Sequence, residues 1–89
     1  MLQISRRADY AVRVMLELGN QPEGALISSS DLSNRTGVSK SFLHKIIADL
    51  TKAGLVRTYK GSTGGLAISR SANLINMRQI IEAVDQYCT

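Results

Sequence analysis

The 89 residues contain no tryptophan and only one proline, one cysteine, one histidine and one phenylalanine, and these scarcities close off several classes of function. A single cysteine, Cys88, excludes an internal disulfide and any multi-cysteine metal site carried by this chain alone, so no cofactor is expected in it. The lone histidine, His44, has no cysteine nearby to serve as a nucleophile. Asp31 and Asp49 read as a first-turn helix acid and a solvated helix residue, so no acid–base pair is in sight and no catalytic residue is expected. No apolar run reaches the roughly 18 residues that a membrane span needs, and the N-terminus lacks the uninterrupted apolar core of a signal peptide. A cytoplasmic, reduced setting without a membrane partner is the expectation. Acid is also scarce in the middle of the chain, where Arg35, Lys40, Lys45, Lys52, Arg57, Lys60 and Arg70 face Asp49 alone.

What is present is enough for one domain, 1–89, burying roughly 60 to 65% of the surface its unfolded chain would expose. The formal charge of +4 would ordinarily mean no more than a solvated basic face. Its placement argues for more. Residues 30–50 read as two short helices joined by a tight turn. Ser30 is expected to cap the first, over 30–36, Gly37 to break it, and Ser39 to restart the chain as a second helix over 39–53. Leu43, Ile46, Ile47 and Leu50 form an apolar stripe on that second helix, while Ser41, His44, Lys45 and Ala48 form the opposite face. A helix anchored on one side, with a small, polar and basic free side, suits a DNA major groove. Ser33 lies four positions before Gly37, and Leu32, Val38, Leu43 and Ile46 stand where two steeply crossing helices touch. The pattern is that of a helix-turn-helix, with Thr36 a mild misfit beside the turn; a helical hairpin of an ordinary bundle is the alternative that imitates it.

Upstream, Ser5 can cap a helix over 5–19. Two apolar rows at helical spacing, one of Ala8, Ala11, Val12, Met15 and Gly19 and one of Tyr10, Val14 and Leu18, make it a buried element. Arg6 and Arg7 sit near its N-terminus, where the helix dipole does not favour them; a phosphate partner would explain both, and the alternative is two exposed arginines with no partner. Residues 19–24 hold the only proline and two glycines and end the helix. Residues 25–28 are short enough to be extended or loop, with Leu26 and Ile27 as a candidate brief strand.

Downstream, Gly54 can take a left-handed cap and reverse the chain into a hairpin over 55–69, in which Leu66 and Ile68 share a side. Its tip, Lys60-Gly61-Ser62-Thr63-Gly64-Gly65, lacks the spacing and following helix of a nucleotide-binding loop. Read as a wing, it presents Lys60, Ser62 and backbone amides to phosphates or a minor groove; the alternative is a hairpin tip with no contacts. Asn76, with Gln79 three residues on, opens a last helix over 76–86, whose stripe of Met77, Ile80, Ile81 and Val84 is expected in the core.

In order of elements and in residues, the chain resembles the Rrf family of bacterial winged helix-turn-helix transcription regulators, with its IscR, NsrR, RirA and CymR types. The likeness rests on Ser5 with Asp9-Tyr10-Ala11-Val12-Arg13, Gly37-Val38-Ser39 with Leu43, Leu50 and Ala53-Gly54-Leu55-Val56. Lys60-Gly61 with Gly64-Gly65, Ile80-Ile81 and Ala83-Val84-Asp85 complete it, so it covers almost the whole chain. The resemblance implies a mainly α fold with a small antiparallel β wing and a sequence-specific repressor or activator that binds double-stranded operator DNA as a homodimer. Ser39, Lys40, Ser41, His44 and Lys45 would face the major groove. Residues Lys60, Gly61, Ser62, Thr63, Gly64 and Gly65 would form the wing contact, with Arg6 and Arg7 on phosphates.

Two departures stand out inside that pattern. His44 replaces the acidic or uncharged residue with which many relatives read bases, and Lys60 replaces the arginine that usually opens the wing, keeping the charge but losing bidentate geometry. Relatives also continue into a segment that often bears three cysteines holding an iron-sulfur cluster, then a long pairing helix. A cluster here would need further cysteines from a longer chain, because a lone thiolate cannot hold one. The expectation is a DNA-binding fragment of a longer regulator, or else a shortened member pairing by another surface. A winged domain that docks an acidic protein instead of DNA is the competing class.

Overall fold

A computed structural model describes residues 5–22, 24–61, 64–69 and 75–84. Within these, four helices and one hairpin follow in the order α1 (Arg6–Gly19), α2 (Ser29–Thr36), α3 (Lys40–Lys52), β1 (Val56–Tyr59), β2 (Gly65–Ile68) and α4 (Met77–Val84). Expected elements that extend over residues 70–74 and 85–89, including Arg70, the end of the last helix and Cys88, lie outside the described residues.

Helix α1 begins at Ser5, whose side chain accepts from the Ala8 amide at 3.0 Å. It buries Ala8, Ala11, Val14, Met15 and Leu18. Two alanines on that face let α1 lie close to its neighbours, and it packs against α2, α3, α4 and β2. Val12 and Tyr10 are only partly buried beside this core.

Helix α2 starts two residues earlier than its sequence suggests. Ser28, in extended conformation, is the cap and accepts from the Asp31 amide at 3.1 Å, whereas Ser30 is an exposed residue inside the helix. The run Ser28-Ser29-Ser30 offers three equivalent caps, and a distant contact chooses between them. Ile27 exchanges two backbone hydrogen bonds with Leu66, at 3.0 and 2.8 Å, which holds the chain extended up to Ile27 and lets the helix open immediately after Ser28. Leu26 is not part of that bridge and is exposed. Accordingly Ser28→Ala should cost about 1 kcal/mol, within the 0.5–2 kcal/mol range of lost caps. Ser30→Ala should leave stability unchanged or slightly higher, because alanine is the better residue in a helix interior. Urea unfolding of the two variants checks the order.

The turn between α2 and α3 is closed from three sides. Gly37, at φ +77°, takes the left-handed conformation that a side chain would resist, and its amide donates to Ser33 O at 2.9 Å. The Ser33 hydroxyl donates to Val38 O at 2.5 Å. Thr36, a misfit by hydrophobicity, donates to Leu32 O at 2.7 Å and accepts from the Val38 amide at 3.3 Å. Its hydroxyl thereby satisfies backbone groups that an apolar residue would leave bare.

Helix α3 is capped by Ser39, which accepts from the Phe42 amide at 3.4 Å, and it buries Leu43, Ile46, Ile47 and Leu50. It ends in a paired-bond cap around Gly54 at φ +79°, with Leu55 N donating to Leu50 O at 2.9 Å and Gly54 N to Thr51 O at 3.0 Å. Strands β1 and β2 pair antiparallel from Val56↔Ile68 to Tyr59↔Gly65. Val56 and Leu66 face the core, Ile68 packs at its edge, and Arg57, Thr58 and Tyr59 are exposed.

Helix α4 is entered through reciprocal bonds, Asn76 N to Gln79 Oε1 and Gln79 N to Asn76 Oδ1, both 2.9 Å. It buries Ile80, Ala83 and Val84 against α1 and α3. Met77 departs from the expectation: it is 53% exposed. Its spacing to Ile80 and Val84 is that of a core residue, but in the first turn of α4 it borders an open apolar cleft with Leu16 and Ile75 instead of being covered.

Candidate nucleic-acid interface

The anchoring of α3 by Leu43, Ile46, Ile47 and Leu50 turns the other side of the helix outward. Ser39, Lys40, Ser41, His44, Lys45 and Ala48 are all exposed. Apart from the capping bond of Ser39, their side chains make no hydrogen bond or ion pair with other described residues. Such a face is open for an outside partner along its whole length.

The hairpin stands beside it. Lys60 and Gly61 are exposed, Gly64 and Gly65 are half-buried, and Ser62 and Thr63 lie outside the described residues. Gly64 N donates to Gly61 O at 3.0 Å, closing the tip, and Gly61 has φ +106°. A Cβ on Gly64 would lie 2.1 Å from Tyr59 O, and one on Gly65 would lie 2.9 Å from Ile27 O. The three glycines of the tip thus answer two different demands, backbone angle at Gly61 and backbone crowding at Gly64 and Gly65.

Between α3 and the hairpin runs an open groove with His44, Ala48 and Thr51 on one wall and Ser29, Thr58 and Leu66 on the other. It continues towards the tip past Ser28, Tyr59 and Gly61. Ser28, Ser29, Thr51, Thr58 and Tyr59 were not among the residues expected to face a partner. The available signal was composition, because four hydroxyl-bearing side chains and a phenol flank a basic segment without an apolar reason to be there.

Ion pairs sort the cations of this region. Arg35 pairs with Glu17 at 3.3 Å, and Glu17 also accepts from Gln21 at 3.1 Å. Arg13 pairs with Asp9 at 3.2 Å and lies over the Tyr10 ring at 5.7 Å. Arg7 pairs with Asp49 at 3.9 Å, so Asp49 is not the solvated helix acid it resembles in sequence. Arg6 is exposed at the start of α1. Among the described residues, Lys40, Lys45, Lys52, Arg57 and Lys60 have no acidic partner. Apart from Arg6 on α1, the unpaired positive charge among the described residues therefore gathers on α3 and the hairpin.

A family model described as "Rrf2: Iron-dependent Transcriptional regulator" matches residues 4–88. The chain belongs to the Rrf2 family. Its Rrf2 relatives include the HTH-type transcriptional regulator IscR of Pectobacterium carotovorum, 33% identical over 85 residues that make up 96% of this chain and 52% of the relative. IscR of Escherichia coli is 32% identical with the same coverage. The chain spans about half the length of these curated relatives. Among solved structures it is similar to CymR, the global cysteine regulator of B. subtilis, with a TM-score of 0.89 and 26% identity over 96% of this chain and 66% of that one. IscR of T. potens gives a TM-score of 0.88 at 30% identity, over 99% of this chain and 64% of that one. These matches share the winged-helix architecture of four helices and a two-stranded antiparallel sheet described above.

The family description implies iron, and the donor set here does not fit it. The chain holds one cysteine and one histidine, and among the described residues no group of three or more His, Cys, Asp or Glu side chains could hold a metal ion. An iron-sulfur cluster is held by several thiolates. Among the described residues no helix is long and apolar enough to cross a membrane.

Proposed function

We propose that the chain is the DNA-reading part of a transcription regulator, placing α3 in the major groove of double-stranded DNA and the hairpin tip against the adjoining phosphates or minor groove. The observation that carries this reading is the exposed and unpaired polar face of α3 set beside a cationic hairpin. Ser41 and His44 project from the middle of that face and are the base readers; Ser39, Lys40 and Lys45 flank them. Lys60 with the backbone of residues 61–65 contacts the sugar-phosphate strand, and Arg6 reaches a phosphate from the start of α1. In the whole protein two such units pair as a homodimer over a two-fold operator, since one half-site gives too little contact for useful affinity.

The test is a fluorescence-anisotropy titration of duplex DNA at several salt concentrations. If the unpaired cations meet phosphates, the logarithm of affinity falls with the logarithm of salt, by roughly 0.9 per contact. Lys60→Ala is expected to weaken binding to selected and random duplexes alike and to lower that slope by about 1, whereas His44→Ala should reduce discrimination at one base pair by roughly 1–3 kcal/mol. Equal losses on selected and random DNA for His44→Ala would remove its reading role. Absence of salt-dependent binding by the wild-type chain would leave a protein-docking domain instead.

A further inference from the structure

We infer that Arg7 is a positioning residue for the recognition helix, acting by holding Asp49 away from Lys45. The inference rests on the DNA-binding reading above. Asp49 is the one acid on α3 and stands four residues after Lys45, a spacing at which the two side chains can meet on the helix surface. They do not pair. The Asp49 carboxylate turns instead to the Arg7 guanidinium of α1 at 3.9 Å, with side-chain exposures of 35% for Arg7 and 25% for Asp49, while Lys45 stays exposed and unpaired.

A separate contact holds the helix itself. Tyr10, one turn beyond Arg7 on α1, meets Phe42 of α3 edge to face, with ring centroids 5.0 Å apart. Phe42 and Asp49 are seven residues apart, which is about 10 Å along a helix. The ring contact, together with the buried Leu43, Ile46, Ile47 and Leu50, sets the roll of α3 about its axis, so the helix keeps its orientation when the distant Arg7–Asp49 pair is removed. When Arg7 is lost, the carboxylate is released towards Lys45, and the lysine nearest the base readers is neutralised by its own helix.

This assigns Arg7 a role different from that of Arg6, and the two roles separate cleanly. A phosphate ligand loses its contribution whatever stands at position 49; a residue acting through Asp49 loses it only while Asp49 is there. The experiment compares Arg7→Ala, Asp49→Ala and the double variant, titrated against a duplex enriched from a random pool by the wild-type chain. Arg7→Ala is expected to weaken binding about five- to tenfold and lower the salt slope by about 1, because Lys45 no longer meets its phosphate. Asp49→Ala alone should bind at least as well as wild type. Arg7→Ala with Asp49→Ala should return affinity to within about twofold of wild type and restore the slope. A partly exposed pair contributes little to folding, so all three variants should stay folded, and circular dichroism confirms it. A double variant as weak as Arg7→Ala, with its slope still lower, overturns the inference and makes Arg7 a phosphate ligand; an Arg7→Ala variant that binds like wild type overturns it as well. A measurement without DNA keeps this separate from the broader reading: the Arg7 side-chain Nε–H resonance should shift on Asp49→Ala, and a resonance that does not shift also refutes the pairing.

Discussion

Gly64→Ala is expected to open the hairpin tip and to weaken DNA binding at least about tenfold, a loss of 1.4 kcal/mol or more. The cause is a collision with main chain. The added methyl would lie 2.1 Å from Tyr59 O and 2.8 Å from Lys60 C, and no side chain can step aside to admit it. The last rung of the hairpin, Tyr59↔Gly65, and the Gly61–Gly64 closure must give way together. Forcing extra volume into a close-packed place ordinarily costs 1–3 kcal/mol. Here the damage stays local, since the register from Val56 to Thr58 is held by the Ile27–Leu66 bridge and, at the far end, by Ser69 N donating to Leu55 O. Amide hydrogen exchange should show protection lost at Gly64 and Tyr59 and kept in α1 and α3. Undiminished protection at the tip, or affinity equal to wild type, would show that the hairpin neither resists the methyl nor touches DNA. Gly61→Ala makes a useful contrast: open space surrounds that position, and only its φ of +106° stands against a side chain.

The second large effect is expected at Leu43, whose side chain is 0% exposed at the centre of the core. Leu43→Ala should destabilise the domain by about 2–5 kcal/mol, the sum of lost burial and of the cavity left behind. Small domains have about 5–15 kcal/mol in all, so the urea midpoint should fall by a large fraction with its m-value unchanged, and the melting temperature by roughly 10 °C or more. His44 follows immediately in the chain and points the other way. His44→Ala should change stability by no more than about 0.5 kcal/mol while altering DNA selection. Neighbouring residues with opposite phenotypes are what a helix with one buried and one reading face requires. If both variants unfold the protein alike, the orientation of α3 is wrong.

Helical periodicity placed the four helices because each carries an apolar stripe that only one orientation can bury. Local capping chemistry was legible for the same reason: Ser5, Ser39, the Asn76–Gln79 pair, Gly37 and Gly54 act through partners within a few residues. What escaped depends on contacts between distant positions. Ser28 is chosen over Ser30 by a strand bridge to Leu66, 39 positions after Ile27. Asp49 finds Arg7 on another helix, and no spacing rule could announce it. Met77 has the phase of a core residue but borders an open cleft, so periodicity alone places it wrongly. In the interface, the reading face of α3 and the tip glycines were legible. The hydroxyl wall of Ser28, Ser29 and Thr58 was not, because three elements must first be brought together to build it.

The bridge between Ile27 and Leu66 is made from main-chain atoms alone. An attachment of that sort is blind to side-chain identity, except that Gly65 must stay bare to let the Ile27 carbonyl approach. Hairpins of different sequence are therefore interchangeable modules on this scaffold so long as that glycine travels with them. Transplanting one from another regulator should alter backbone affinity while leaving base preference with the host.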